Sequence, residues 1–151
     1  MLLITGFLFM VFIFVGMGLL MGIGMMMVDF PSALFILISL VFFFLTSKSG
    51  KTIGSYFSAS FKKDYIYNKN ELAALGAAAK YAVKFVTAIG AFGFLFGITG
   101  ALMYLENPQM LGPNLAVSLI TLLYAVATGV FIFLPLQTWA EIKQKPLKED
   151  E

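Results

Sequence analysis

The side chains best placed to do chemistry in this chain are hydroxyls on an apolar background. In "TLLYAVATGVFIFLP" (121–135), Thr121, Thr128 and Pro135 recur at one interval, with Tyr124 among them. The row extends to Asn114, Ser118, Thr121, Ala125, Thr128, Ile132 and Pro135, in alternating steps of four and three. Such steps keep residues on one face of a helix. A hydroxyl stripe of this kind has three uses. It can bond back to the carbonyl one turn earlier, with no further consequence. It can join neighbouring helices, at about 0.6 kcal/mol per bond in a membrane. It can also line a route for water or an ion. Pro135 adds a freed carbonyl, since it has no N–H to return to the preceding turn. Spacing alone leaves the three uses open.

The absences narrow the chemistry further. There is no Cys and no His. Thiolate nucleophiles, Ser-His-Asp arrangements and the usual zinc sites are therefore not available to this chain alone. No metal site or cofactor is expected, and with no cluster of acid, base or ligand groups the chain does not read as an enzyme. All ten basic residues are lysines. Lys offers a point charge rather than the planar fork suited to carboxylate or phosphate. No Asp, Glu or Lys lies near the middle of any apolar span, so the chain lacks the titratable group of a proton relay. Either it conducts nothing or a partner supplies the carboxylate.

These residues must be positioned by apolar helices. The 151 residues are 60% hydrophobic and 12% charged, with a mean hydropathy of +0.94. Soluble domains carry about 25% charged residues, so the expected fold is an all-α integral membrane protein with a single membrane domain and four spans. The spans run over about 2–27, 32–46, 81–105 and 115–138. The first has no basic leader and no small-residue cleavage site, and it exceeds the short core of a secretory signal; it reads as a spanning helix. "VDFPS" (28–32) makes the turn into the second, and residues 47–80 form a polar segment before the third. Lys48, Lys51, Lys62, Lys63, Lys69, Lys80 and Lys84 flank that segment, and Lys143, Lys145 and Lys148 lie in the tail 139–151. The opposite turns hold Asp29 and Glu106 and no lysine. The positive-inside rule then places the polar segment and both termini in the cytoplasm. "ELAALGAAAKYAVKF" runs into the third span without Pro, and the fourth can run past Trp139 to about Gln144, so both helices are expected to extend into the cytoplasm.

Glycines form their own rows. Gly90, Gly93, Gly97 and Gly100 follow steps of three, four and three, continued backwards by Gly76, Ala79, Val83 and Val86. The first span carries Gly18 and Gly22 at a four-residue interval. In lipid, small residues let backbones approach closely. These rows predict a tightly packed bundle that assembles with copies of itself. Lys62, Lys63 and Lys69 are a candidate cytoplasmic docking surface, although a solvated, lipid-facing charge run is the simpler account of them.

"VDFPSALFILISL" and "TAIGAFGFLFGITGALMYLENPQMLGPNLAVSLITLLYAVATGVFIFLPLQTWAE" together resemble the MotA/TolQ/ExbB proton-channel family, and its MotA branch most. The resemblance rests on Asp29, Pro31 and Ser32; on Gly90, Gly93 and Gly97; on Asn107 to Pro113; and on Thr121, Leu123, Tyr124, Leu134 and Pro135. It covers all four spans. It implies a pentamer in the bacterial inner membrane around two copies of a MotB/ExbD-like single-span partner. The partner's membrane Asp would carry the proton or sodium ion, and ion flow would become mechanical work, with no nucleic acid involved. Thr121, Thr128, Ser118 and Thr87 would line the ion path, with Pro135 at its cytoplasmic end.

Several positions depart from the family. Thr87 stands where a Pro is usual, Phe94 and Leu122 where hydroxyls are usual, Ala125 where a Gly follows the Tyr, and Ile38 and Ser39 replace a glycine pair. The segment 47–80 is also far shorter than the rotor-contacting domain of flagellar MotA. The resemblance therefore points to a minimal stator-type subunit serving another envelope machine. A non-conducting structural or assembly ring of the same fold is the alternative.

Overall fold

A computed structural model describes residues 2–22, 28–59 and 67–144. Every element among them is helical. They are α1 (Leu2–Met21), α2 (Phe30–Thr46), α3 (Gly50–Ala59), α4 (Lys69–Leu102), α5 (Pro108–Thr128), a π-helical turn (Gly129–Phe133) and α6 (Leu134–Gln144). Three segments are long and apolar enough to cross a membrane: Ile4–Met21, Lys69–Leu102 and Pro108–Gln144. A fourth is added if α2, only 17 residues long, is taken with the Gly50–Tyr56 part of α3, to which it is bent by 104°.

Local chemistry explains the helix starts. Asp29 caps α2, its carboxylate accepting from the Ser32 N–H at 2.9 Å, with Pro31 in the first turn where a missing N–H costs nothing. Asn68 and Glu71 form a reciprocal capping box at the start of α4. Helix α5 begins at Pro108 and runs through Pro113, ahead of the apolar run from Leu115. The polar segment 47–80 holds a helix, α3, that the sequence reading did not single out. At 34 residues, α4 is about 51 Å long at ~1.5 Å per residue.

The long helices alternate in direction. Gly97 of α4 meets Ser118 of α5, whereas Gly76 meets Ala140 of α6, so the two run antiparallel along their whole length. Phe35 and Phe43 of α2 lie against Gly93 and Phe85 of α4, and Gly6 and Phe14 of α1 against Phe131 and Tyr124. One end of this bundle carries Lys48, Lys51, Lys69, Lys80 and Lys143; the other carries Asp29 and Glu106.

Two buried clusters hold the helices together. Ile36, Leu40, Ala82, Val86, Ala125 and Phe133 form the first, joining α2, α4 and α5. Tyr56, Leu75, Ala79, Leu136 and Ala140 form the second, at the lysine-rich end. There Trp139 meets the rings of Tyr56 and Tyr67 edge-on at 5.3 and 5.4 Å, which docks α3 onto α4 and α6. The outer surface is as apolar as the inside. Phe12 is 73% exposed, Leu20 89% and Phe96 74%. Exposed apolar surface on this scale is compatible with a membrane protein.

Candidate functional site

The seam between α4 and α5 is built from small residues facing small residues. A Cβ on Gly90 would overlap the Ala125 methyl, and one on Gly97 would overlap the Ser118 hydroxyl. On Gly93 it would stand 2.8 Å from Thr121 Cγ2 and 2.9 Å from the Phe35 ring. Ser118 and Thr121 are consequently buried, at 1% and 7% exposure. Further along, Val83 and Val86 meet Gly129, and Gly76 meets Ala140. The two rows read from the sequence thus face each other within one chain.

Beside this seam lies a polar tie that joins two helices, α2 and α5. The hydroxyls of Thr121 and Ser32 are 2.6 Å apart and buried. Thr121 also donates to the Val117 carbonyl at 3.0 Å. A single hydroxyl proton cannot serve both, so with that bond formed Ser32 is the donor to Thr121. The Asp29 N–H donates to the Tyr124 hydroxyl at 3.0 Å. The turn before α2 is therefore fixed to α5 by side chains one helical turn apart, Thr121 and Tyr124.

The rest of the polar stripe is divided. Thr128 is half-buried and donates to the Tyr124 carbonyl at 2.7 Å. It lines an apolar cavity of about 530 Å³ between α1, α2 and α5, with Phe14, Ile36 and Ile132. The division has a physical cause in Pro135. That residue has no N–H for the Phe131 carbonyl and its ring crowds the same group. The helix widens just before it, with Leu134 N–H bonding to Gly129 O, five residues back. The added residue moves the buried line onto Gly129, Phe133, Leu136 and Ala140, leaving Thr128, Ile132 and Pro135 beside it. Gly6 of α1 sits against the Phe131 carbonyl so closely that a Cβ would overlap it. Only the absent side chain permits this approach.

The remaining positions lie apart. Thr87 is exposed on α4. Gly100 is exposed, with nothing within 4 Å of a Cβ placed there. Gly18 is buried, whereas Gly22 ends α1 with φ +68° and open space around it. Lys69 is exposed at the start of α4, and Lys62 and Lys63 lie outside the described residues. Hydroxyls at Ser39, Thr46, Thr99, Ser118, Thr121, Thr128 and Thr138 all bond back to the carbonyl four residues earlier. Among the described residues no buried side-chain polar atom lacks a partner, and no group of three acidic residues could hold a metal.

Sequence reasoning did not single out Gly6. Nothing in its neighbourhood distinguishes it from the other glycines of the first span. It also did not anticipate that Ser32 would meet Thr121, although both stand among the residues of the family resemblance.

No family model matches the chain. A curated protein that it resembles in part is an uncharacterized protein, YtxD, of Bacillus subtilis (strain 168). The two are 39% identical over 62 residues, which is 41% of this chain and 23% of that protein. The chain thus spans less than a quarter of that relative's length. No solved structure matches.

Proposed function

We propose that this chain is an integral membrane protein of four spans and the channel-forming subunit of an ion-driven, stator-type complex similar to the MotA/TolQ/ExbB family. Copies of it surround a single-span partner whose membrane Asp carries the proton or sodium ion. The observation that carries this reading is the tie at Asp29, Ser32, Thr121 and Tyr124. These residues come from the two separate stretches that resemble the family, 89 and 95 positions apart in the hydrogen-bonded pairs. Their meeting gives one structural reason for both stretches. The lysine-rich end then lies in the bacterial cytoplasm. The apolar exterior supplies surfaces for lipid and for neighbouring copies.

The hydroxyls have different roles in this reading. Ser118 and Thr121 hold the seam and the α2 turn, and so fix the shape of the subunit. Thr128 and Thr87, less enclosed, are the hydroxyls within reach of a passing ion once copies assemble.

The second reading is a non-conducting structural or assembly ring, favoured by the closure of Ser118 and Thr121 inside the chain. Flux measurements separate the two. The chain, purified with its Asp-bearing partner and placed in liposomes, is expected to pass protons or sodium under an imposed potential. That flux should vanish when the partner's Asp becomes Asn. Sealed liposomes that hold the whole complex and pass neither ion would favour the structural ring.

A further inference from the structure

We propose that the elbow between α2 and α3 binds the phosphate of an anionic phospholipid. This rests on the reading of α2 and α4 as membrane spans, but on none of the motor assignment. A pocket of about 590 Å³ opens there between the elbow and α4. Lys48, Lys84, Ser47, Ser49 and Thr52 line its polar side; Phe43 and Phe85, stacked at 4.7 Å, belong to its apolar wall. Among the described residues no acidic side chain lines it, and neither lysine has an ion pair. The Lys84 ammonium lies 5.8 Å from the Tyr81 ring centre, a contact that leaves its charge uncompensated.

The backbone builds the pocket deliberately. Lys48 has φ 55°, a left-handed conformation unusual for a side chain of its kind. That residue turns the chain through 104° between α2 and α3. The first turn of α3, ten residues long, therefore opens beside the lysines, and a helix start favours an anion. Tyr56 anchors the far part of α3 against Trp139 and Tyr67, which keeps the elbow bent.

Charge and polarity together select the ligand. Ser47 donates its proton to the Phe43 carbonyl and Ser49 donates its own to Ser47, so a free phosphate would rest chiefly on the two lysines and leave the phenylalanine wall bare. A phospholipid places its phosphate on the cations and its acyl chains along Phe43 and Phe85. Basic pockets between spanning helices on the cytoplasmic side are suited to such headgroups.

The test is native mass spectrometry of the full chain released from bilayers of phosphatidylcholine mixed with phosphatidylglycerol. The wild-type protein should retain phosphatidylglycerol preferentially. The double variant Lys48→Gln/Lys84→Gln should lose that preference by roughly ten-fold or more. Lys69→Gln/Lys143→Gln, which removes the same charge outside the pocket, should leave it unchanged, and Lys48→Arg/Lys84→Arg should keep it. An equal loss in both glutamine pairs would mean bulk charge and overturn the site. Inorganic phosphate that displaces the lipid at comparable concentration would make this a free-phosphate site and overturn the lipid assignment. Should the glutamine variant fail to fold, a photoactivatable phosphatidylglycerol decides on the wild type. Labelling at residues 47–52 and 81–85 supports the site, and labelling elsewhere overturns it. A wild-type chain that enters the bilayer without anionic preference sinks this proposal alone; one that never enters sinks the membrane reading too.

Discussion

Helix α1 is more apolar than the α4–α5 pair, yet it is the less tightly held. The α4–α5 seam buries glycines against Ser118, Thr121 and Ala125 with backbones almost in contact. In α1, Phe12, Leu19 and Leu20 point outward. It touches the bundle chiefly through Gly6, Phe9 and Phe14, against Phe131 and Tyr124. The difference teaches that hydrophobicity does not decide what packs in this molecule. Where the surroundings are as greasy as the interior, close approach of small residues decides it. The seam is the frame; α1 is a cover laid on it at one narrow place.

This contrast can be broken in graded steps. Gly90→Val should be the most damaging change, because its side chain lands on Ala125 in a seam that has no room. A loss of about 3 kcal/mol or more is expected in denaturant-induced unfolding in detergent. If it is tolerated, the seam is not the frame. Thr121→Val comes next. It keeps the shape but leaves Ser32 without its acceptor, at about 1–3 kcal/mol, whereas Thr121→Ser should cost less. Equal stability of all three proteins would show that the tie at Ser32 contributes nothing.

Gly6→Ala should loosen α1 without unfolding the rest, since α1 can move off the Phe131 carbonyl. Cysteine-accessibility labelling at Thr128, introduced as Thr128→Cys, would rise while unfolding of the α4–α5 pair stayed put. Unchanged labelling would mean that the contact at Gly6 does not hold α1. The smallest effect has the opposite sign. Gly100→Ala faces open space in a helix, so it should stabilise by about 0.5–1 kcal/mol through helix propensity. A destabilisation there would show that Gly100 packs against another copy.

Much of this arrangement was legible before any coordinates. Each row could be read because steps of three and four are the signature of one helix face; that the two rows face each other could not, since either would serve equally for contacts between copies. The turn into α2 was legible in "VDFPS", but not the capping role of Asp29. The division of the stripe was not legible either. Pro135 announces a freed carbonyl, but whether the helix kinks or widens depends on neighbours, here Gly6 against Phe131. Helix α3 was hidden too. It is only ten residues long, and its place is set by Tyr56 meeting Trp139 and Tyr67, residues distant in sequence.

The central claim is that the chain forms a ring around a partner that carries the missing carboxylate. Native mass spectrometry of the complex, extracted in its own lipid without overproducing this chain, tests it most directly. The account predicts a pentamer holding two copies of a smaller single-span protein with an Asp in its membrane segment. A homo-oligomer that carries no such protein after gentle extraction would contradict it.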